Sequence, residues 1–173
     1  LTYEITSDTT AKVKGPEANT LLTQVIIPEK ATNSLNGESY TVTAIADKAF
    51  RNTRFNGEIT SITLPDSLKE IGDFAFFSCF KLEGINLPDG LTKIGYQAFQ
   101  NCYSLTEITI PSSVTTMGSH VFNRCTGLKE VTFEKNSQLS ALPDATFANC
   151  ESLESFTLPN GFTSIGENAF YKC

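Results

Sequence analysis

A chain of 173 residues with 40% apolar and 18% charged residues is ordinary for a soluble globular protein and long enough to bury a core. Its 13 basic and 19 acidic residues give a net charge of -6, which argues against a nucleic-acid backbone or an anionic membrane as the main partner. No run of about 18 apolar residues occurs, so no membrane-spanning helix or membrane insertion is expected, and the opening LTYEIT carries neither a basic nor an apolar leader segment, so any export signal or anchor is expected outside these residues.

Residues 1–15 alternate through Leu1, Tyr3 and Ile5, then Ala11 and Val13, with Ser7-Asp8-Thr9-Thr10 between them, the pattern of a β-hairpin. They match nothing further along the chain, and residues 1–21 are read as an N-terminal cap. Residues 22–52 hold a first, irregular unit: Leu22, Val25, Ile27 and Pro28 open it, and Val42, Ile45, Ala49 and Phe50 close it. An insertion at 31–39 lies between, and its Asn36-Gly37 dipeptide followed by Tyr40 and Val42 predicts a small projecting hairpin. A second insertion runs from Asn52 to Glu58.

From residue 59 the chain is repetitive. Residues 82–102 read LEGINLPDGLTKIGYQAFQNC and 105–125 read LTEITIPSSVTTMGSHVFNRC, and 59–79, 128–150 and 153–173 follow the same pattern. Phe76, Phe99, Phe122, Phe147 and Phe170 are each followed three residues later by Cys79, Cys102, Cys125, Cys150 and Cys173. Units of roughly 20 to 29 residues opening Leu-x-x-Ile-x-Leu are the mark of a leucine-rich-repeat solenoid, in which no single unit can bury its own apolar face. About six repeats are expected over 22–173. Positions one, four and six of each unit should point inward from a short strand, and strands of successive coils should pair in parallel about 4.8 Å apart. Pro65, Pro88, Pro111 and Pro159 close the strands, having no N–H to donate. Gly72, Gly95, Gly118 and Gly166 read as turn positions of positive φ. Ala-Phe-x-x-Cys reads as a short helical turn, since the Phe and Cys share one face. The fold class is therefore α/β but strand-dominated: a right-handed solenoid with a parallel β-sheet on the concave face and short helical turns on the convex face. Residues 133–147 depart most from the pattern, with two extra residues, Glu134 at the strand-end proline position and Pro143 at the glycine position.

Units of the form Leu-x-x-Ile-x-Leu-Pro-x-x-Leu-x-x-Ile-Gly-x-x-Ala-Phe-x-x-Cys resemble the BspA-like class of leucine-rich repeats over about residues 22–173. The resemblance implies a secreted or surface-attached protein of the kind found in oral and gut Bacteroidetes, in spirochaetes and in some mucosal protists. It also implies adhesion to host matrix proteins or to other cells, with no catalytic residues to carry over.

All five cysteines occupy one repeat position. Adjacent coils would bring their Cα atoms to about 5 Å, a separation that permits a disulfide, but the odd count and the interchangeable environments favour a column of free buried thiols. His120 stands alone, and no C-x-x-C, Walker loop or G-x-S-x-G occurs, so no metal, cofactor or catalytic site is expected. The phenylalanine column reads as core.

One surface is assembled without being needed for the core, the outer face of the strands. It carries Thr60, Ser61 and Thr63, then Glu83, Gly84 and Asn86, then Thr106, Glu107 and Thr109 in successive units. Lys129, Glu130 and Thr132 follow, and last Glu154, Ser155 and Thr157. Threonine suits exposed strands on propensity alone, and stacked repeats also build extended binding faces. These residues are the candidate protein-binding face. A protein partner is expected first, a glycan second, and a spacer role third; the lack of exposed aromatics on this face counts against a sugar groove there. Ile165, Ala169, Phe170 and Cys173 repeat the interior pattern at the last coil, so either further chain beyond Cys173 or self-association through that edge is expected.

Overall fold

The computed structural model describes residues 1–17, 22–51 and 58–173, with fifteen strands and no helix among them. Each regular coil has three sides. On the first, the strands Gln24–Ile26, Ser61–Thr63 and Gly84–Ile85 pair in parallel, with Val25 beside Ile62 and Ile62 beside Ile85. Glu107–Ile110, Glu130–Phe133 and Ser155–Phe156 continue the stack, with Ile108, Val131 and Phe156 in register. Alternation along each strand turns Ile62, Ile85, Ile108 and Val131 into the core and leaves their neighbours in solvent. Where Glu134 replaces the strand-end proline, its N–H is available and donates to Ile110 O at 3.0 Å, one inter-coil bond that a proline could not make.

The second side is another parallel sheet, Ser39–Ile45, Glu70–Ile71, Lys93–Ile94 and Thr116–Met117, with Ala141–Leu142 and Ser164–Ile165 paired in the same manner further along. It buries Ile45, Ile71, Ile94, Met117 and Leu142. Between the sheets lies the phenylalanine column: Phe50, Phe76, Phe99, Phe122, Phe147 and Phe170 stack with successive centroids 5.5, 5.1, 5.4, 5.5 and 5.8 Å apart. Residues 2–15 form an antiparallel hairpin whose second strand, Thr10–Gly15, runs parallel to Ser39–Ile45 and buries Ala11 and Val13 against the first coil. Lys30–Thr32 pairs antiparallel with the same strand, so the insertion projects as a hairpin. Residues 18–21 of the cap region and 52–57 of the second insertion lie outside the described residues.

The third side corrects the expectation of helical turns. It is a run of tandem β-turns, closed by Ala75 N–H to Gly72 O (3.3 Å), Phe77 N–H to Phe74 O (3.1 Å) and Cys79 N–H to Phe76 O (3.1 Å). Phe74 (φ 56°) and Ser78 (φ 61°) are left-handed, and so are Gln97 and Asn101, His120 and Arg124, Ala145 and Asn149, and Asn168 and Lys172 at the same two offsets. A left-handed residue in every fourth position stops a helix from propagating. It also frees the N–H groups of Phe74, Phe76 and Ser78 to donate to the carbonyls of Tyr96, Ala98 and Gln100 in the next coil, each at 2.8 Å. Three inter-coil hydrogen bonds of roughly 1 kcal/mol each offset left-handed strain of similar size.

The glycine column is a second correction. Gly72, Gly95, Gly118 and Gly166 do not have positive φ. They are needed because the coils touch there: a Cβ on Gly95 would lie 2.5 Å from the carbonyl carbon of Gly72 and 2.6 Å from Asp73 N. The left-handed residue comes two positions later and is not glycine. In the last coil Phe162 and Phe170 are half-buried, and Ile165 is 50% exposed.

Candidate functional site

On the outer side of the first sheet, parallel register places Glu107 beside Glu130 and Thr109 beside Thr132, and Ser61 beside Gly84. These side chains, with Thr63 and Asn86, line a shallow groove of about 510 Å³ that crosses four coils. Gly84 leaves its floor open, since a Cβ there would meet nothing within 4 Å. An adjoining hollow of about 470 Å³ extends from Thr63 and Asn86 to Asp66 and Asp89, with the Lys69 ammonium lying over Gly90 at its lip.

Of the candidate face residues, Thr63, Asn86, Glu107, Thr109, Glu130 and Thr132 line this groove together. Glu83, Thr106, Lys129 and Glu154 are exposed but stand one residue ahead of the strands, on the rim, where Lys129 N–H joins the ladder through Thr106 O at 2.8 Å. Thr157 is exposed on the last coil, beyond the groove.

The groove is acidic at one end, on the third and fourth of the coils it crosses. Glu107 and Glu130 occupy adjacent strands, and Glu130 receives one hydrogen bond, from Thr132 Oγ1 at 3.5 Å. Among the described residues the four ion pairs, Lys12–Glu4, Lys14–Glu4, Lys81–Glu58 and Lys93–Glu70, all lie elsewhere. Like charges in register repel one another, so a cation between them is favoured.

No nucleophile, base and orienting group converge on this surface, and the described residues hold no cluster of three metal-ligating side chains. His120 packs edge-on to Tyr96 at 5.7 Å. The five cysteines are free thiols. Each donates to the phenylalanine carbonyl of the preceding coil, from Cys79 to Phe50 O (3.3 Å) through to Cys173 to Phe147 O (3.1 Å). Burial pushes Cys79 and Cys125 up to about 12, and Cys102 and Cys150 upward as well. These are protonated, structural groups rather than nucleophiles.

The aromatic residues at the turn surface escape the sequence reading. Phe80 and Tyr103 stack at 5.1 Å, and Phe77, Phe74, Tyr96 and His120 form an edge-to-face chain. The one available signal is that Phe80 and Tyr103 both directly follow a repeat cysteine.

The family model described as "BspA type Leucine rich repeat region" matches residues 43–173 in six copies. No curated protein matches the chain. Among solved structures, the chain resembles a leucine-rich repeat protein from Bacteroides capillosus at 36% identity and a TM-score of 0.63, covering 76% of this chain and 92% of that one. It resembles a leucine rich cell surface protein from Faecalibacterium prausnitzii at 27% identity and a TM-score of 0.72, covering 99% of this chain and 50% of that one. It also resembles the pneumococcal vaccine antigen PcpA at 29% identity and a TM-score of 0.79, covering 98% of this chain. The chain spans only 45% of that antigen's length.

Proposed function

Because the chain belongs to the BspA-type leucine-rich-repeat family, whose repeats serve as protein-interaction modules, we propose that it is a non-enzymatic, adhesin-like module at the cell surface. It binds a host or cell-surface protein through the groove on the strand sheet. One observation supports this reading: the carboxylates of Glu107 and Glu130 stand in register at one end of the groove without a basic side chain lining it, beside the hydroxyls of Thr109 and Thr132. A basic, extended segment of a partner protein fits such a surface. The surface placement rests on the Faecalibacterium neighbour, described as a cell surface protein.

The experiment measures binding to immobilised extracellular-matrix proteins by the wild type and by the double variant Glu107→Lys, Glu130→Lys. Reversal is expected to lower binding by about tenfold at low salt and to flatten its salt dependence, since such charges steer encounter. Removal of residues 31–39 should leave it intact. Binding that survives the reversal and is lost with the 31–39 hairpin would move the site to the insertion.

A further inference from the structure

Each coil passes from the tandem turns to the strand sheet through one more β-turn. These are closed by Leu82 N–H on Cys79 O (3.1 Å), Leu105 on Cys102 (3.2 Å), Leu128 on Cys125 (3.0 Å) and Leu153 on Cys150 (3.1 Å). Their tips are Phe80-Lys81, Tyr103-Ser104, Thr126-Gly127 and Glu151-Ser152, stacked coil on coil into a ridge beside the groove's rim. Phe80 and Tyr103 are 37% and 42% exposed, whereas the Phe76, Phe99, Phe122 and Phe147 rings of the same coils have no exposed surface. Their rings lie nearly parallel, at 13°.

One face of Tyr103 therefore rests on Phe80. On the side of its other face the next turn offers only Thr126 and Gly127, and Gly127 is held to glycine because a Cβ there would lie 2.4 Å from Tyr103 O. The ridge drops from an aromatic ring to a hydroxyl and bare backbone, then rises at the exposed Glu151 two coils on, about 10 Å away. The result is a shelf with an aromatic wall and hydrogen-bonding groups on its floor and far side.

We propose that this shelf binds a neutral, β-linked glycan, with one pyranose stacked on the free face of Tyr103. A pyranose with equatorial hydroxyls turns a flat face of axial C–H groups, weakly positive, toward the negative face of an aromatic ring. Its hydroxyls can both donate and accept, which suits Thr126 Oγ1 and the Glu151 carboxylate. Acidic sugars are disfavoured: Lys81 is engaged by Glu58 at 2.6 Å, the carboxylate of Glu151 is exposed on the same ridge, and the chain's net charge is -6. The second aromatic cluster has no such vacancy. Phe74 already contacts Phe77 and Tyr96, and Lys48 and Arg51 cover its ring at 5.8 Å.

Native electrophoresis in gels containing mixed-linkage β-glucan, polygalacturonate or dextran tests the proposal. Retardation is expected in β-glucan alone. Tyr103→Ala should weaken it about tenfold, the loss of one aromatic contact, and Thr126→Tyr, which fills the shelf with a third ring, should abolish it. Tyr171→Ala removes a tyrosine that is 52% exposed elsewhere and should leave retardation unchanged. Thermal unfolding of all three variants, expected to match the wild type, keeps a loss of binding distinct from a loss of fold. Wild-type mobility that β-glucan leaves unaltered, retardation by polygalacturonate in its place, or shelf variants retarded as strongly as the wild type would overturn the proposal.

Discussion

Phe99 has no exposed surface and a parallel ring on either side, so its deletion opens a cavity that two coils border and neither can fill. Phe99→Ala is expected to cost about 3 to 5 kcal/mol in denaturant unfolding. Thr109→Ala, exposed on the strand face, should cost within about 0.5 kcal/mol. The thiols beside the rings carry a pH signature. Burial raises Cys79 and Cys125 from the ordinary 9.0 to about 12, so above about pH 9 the unfolded chain releases protons that the folded chain retains. Their contribution is complete below that value and declines as pH rises toward 12. Urea midpoints should therefore fall between about pH 8 and about pH 10.5, and less steeply in Cys125→Ala. An equally steep fall in that variant would show that other groups govern it. In the native protein a thiol reagent should titrate Cys173, the exposed cysteine, ahead of the four buried ones.

At the scale of the element, the tandem turn separates two roles that glycine often combines. Closeness of backbone falls at Gly95, and left-handed conformation falls at Gln97 (φ 53°). Gly95→Ala should destabilise by about 1 to 3 kcal/mol through overpacking against Gly72 and Asp73. Gln97→Gly should be near neutral, because relief of roughly 1 kcal/mol of strain is balanced by the entropy of a more flexible unfolded chain. Paired unfolding curves decide the matter: a harmless Gly95→Ala would mean that the coils can part there. Asp73 ties the same turns together, accepting Tyr96 N–H at 2.8 Å, and Asp144 does so for Glu167 N–H at 2.9 Å.

For the whole molecule, stability follows from nearest-neighbour contacts, because each coil touches only the coils before and after it. Coils with two neighbours should open least. Amide exchange is expected to be slowest around Phe99 and Phe122, which have no exposed surface, and faster in residues 153–173, where Ile165 is 50% and Leu158 37% exposed. Uniform protection across all coils, read by hydrogen-exchange NMR, would mean that the array unfolds as one cooperative block. The same linear construction explains how two unlike surfaces coexist: the acidic groove and the aromatic ridge are separate rows of side chains on shared coils.

The repeat register, the inward columns and the parallel strands were legible in the sequence because a solenoid is nearly one-dimensional. A column running through every coil demands the same residue type at each step, and the Phe and Cys steps of 23, 23, 25 and 23 record that demand directly. The strand-face residues were legible for the same reason, since alternation about a known inward position assigns the outward ones. What the repeat does not record is how backbones meet between coils. Ala-Phe-x-x-Cys spacing fits a helical turn or a pair of β-turns equally well, and only the inter-coil hydrogen bonds from Phe74, Phe76 and Ser78 select the turns. Glycine at a fixed offset signals either positive φ or close approach, and the 2.5 Å clearance at Gly95 selects the second. Tertiary structure alone decided which outward residues share the groove and which stand on its rim. It alone set Tyr103 against Phe80, because residues 23 apart in the chain become neighbours only when one coil is laid upon the next.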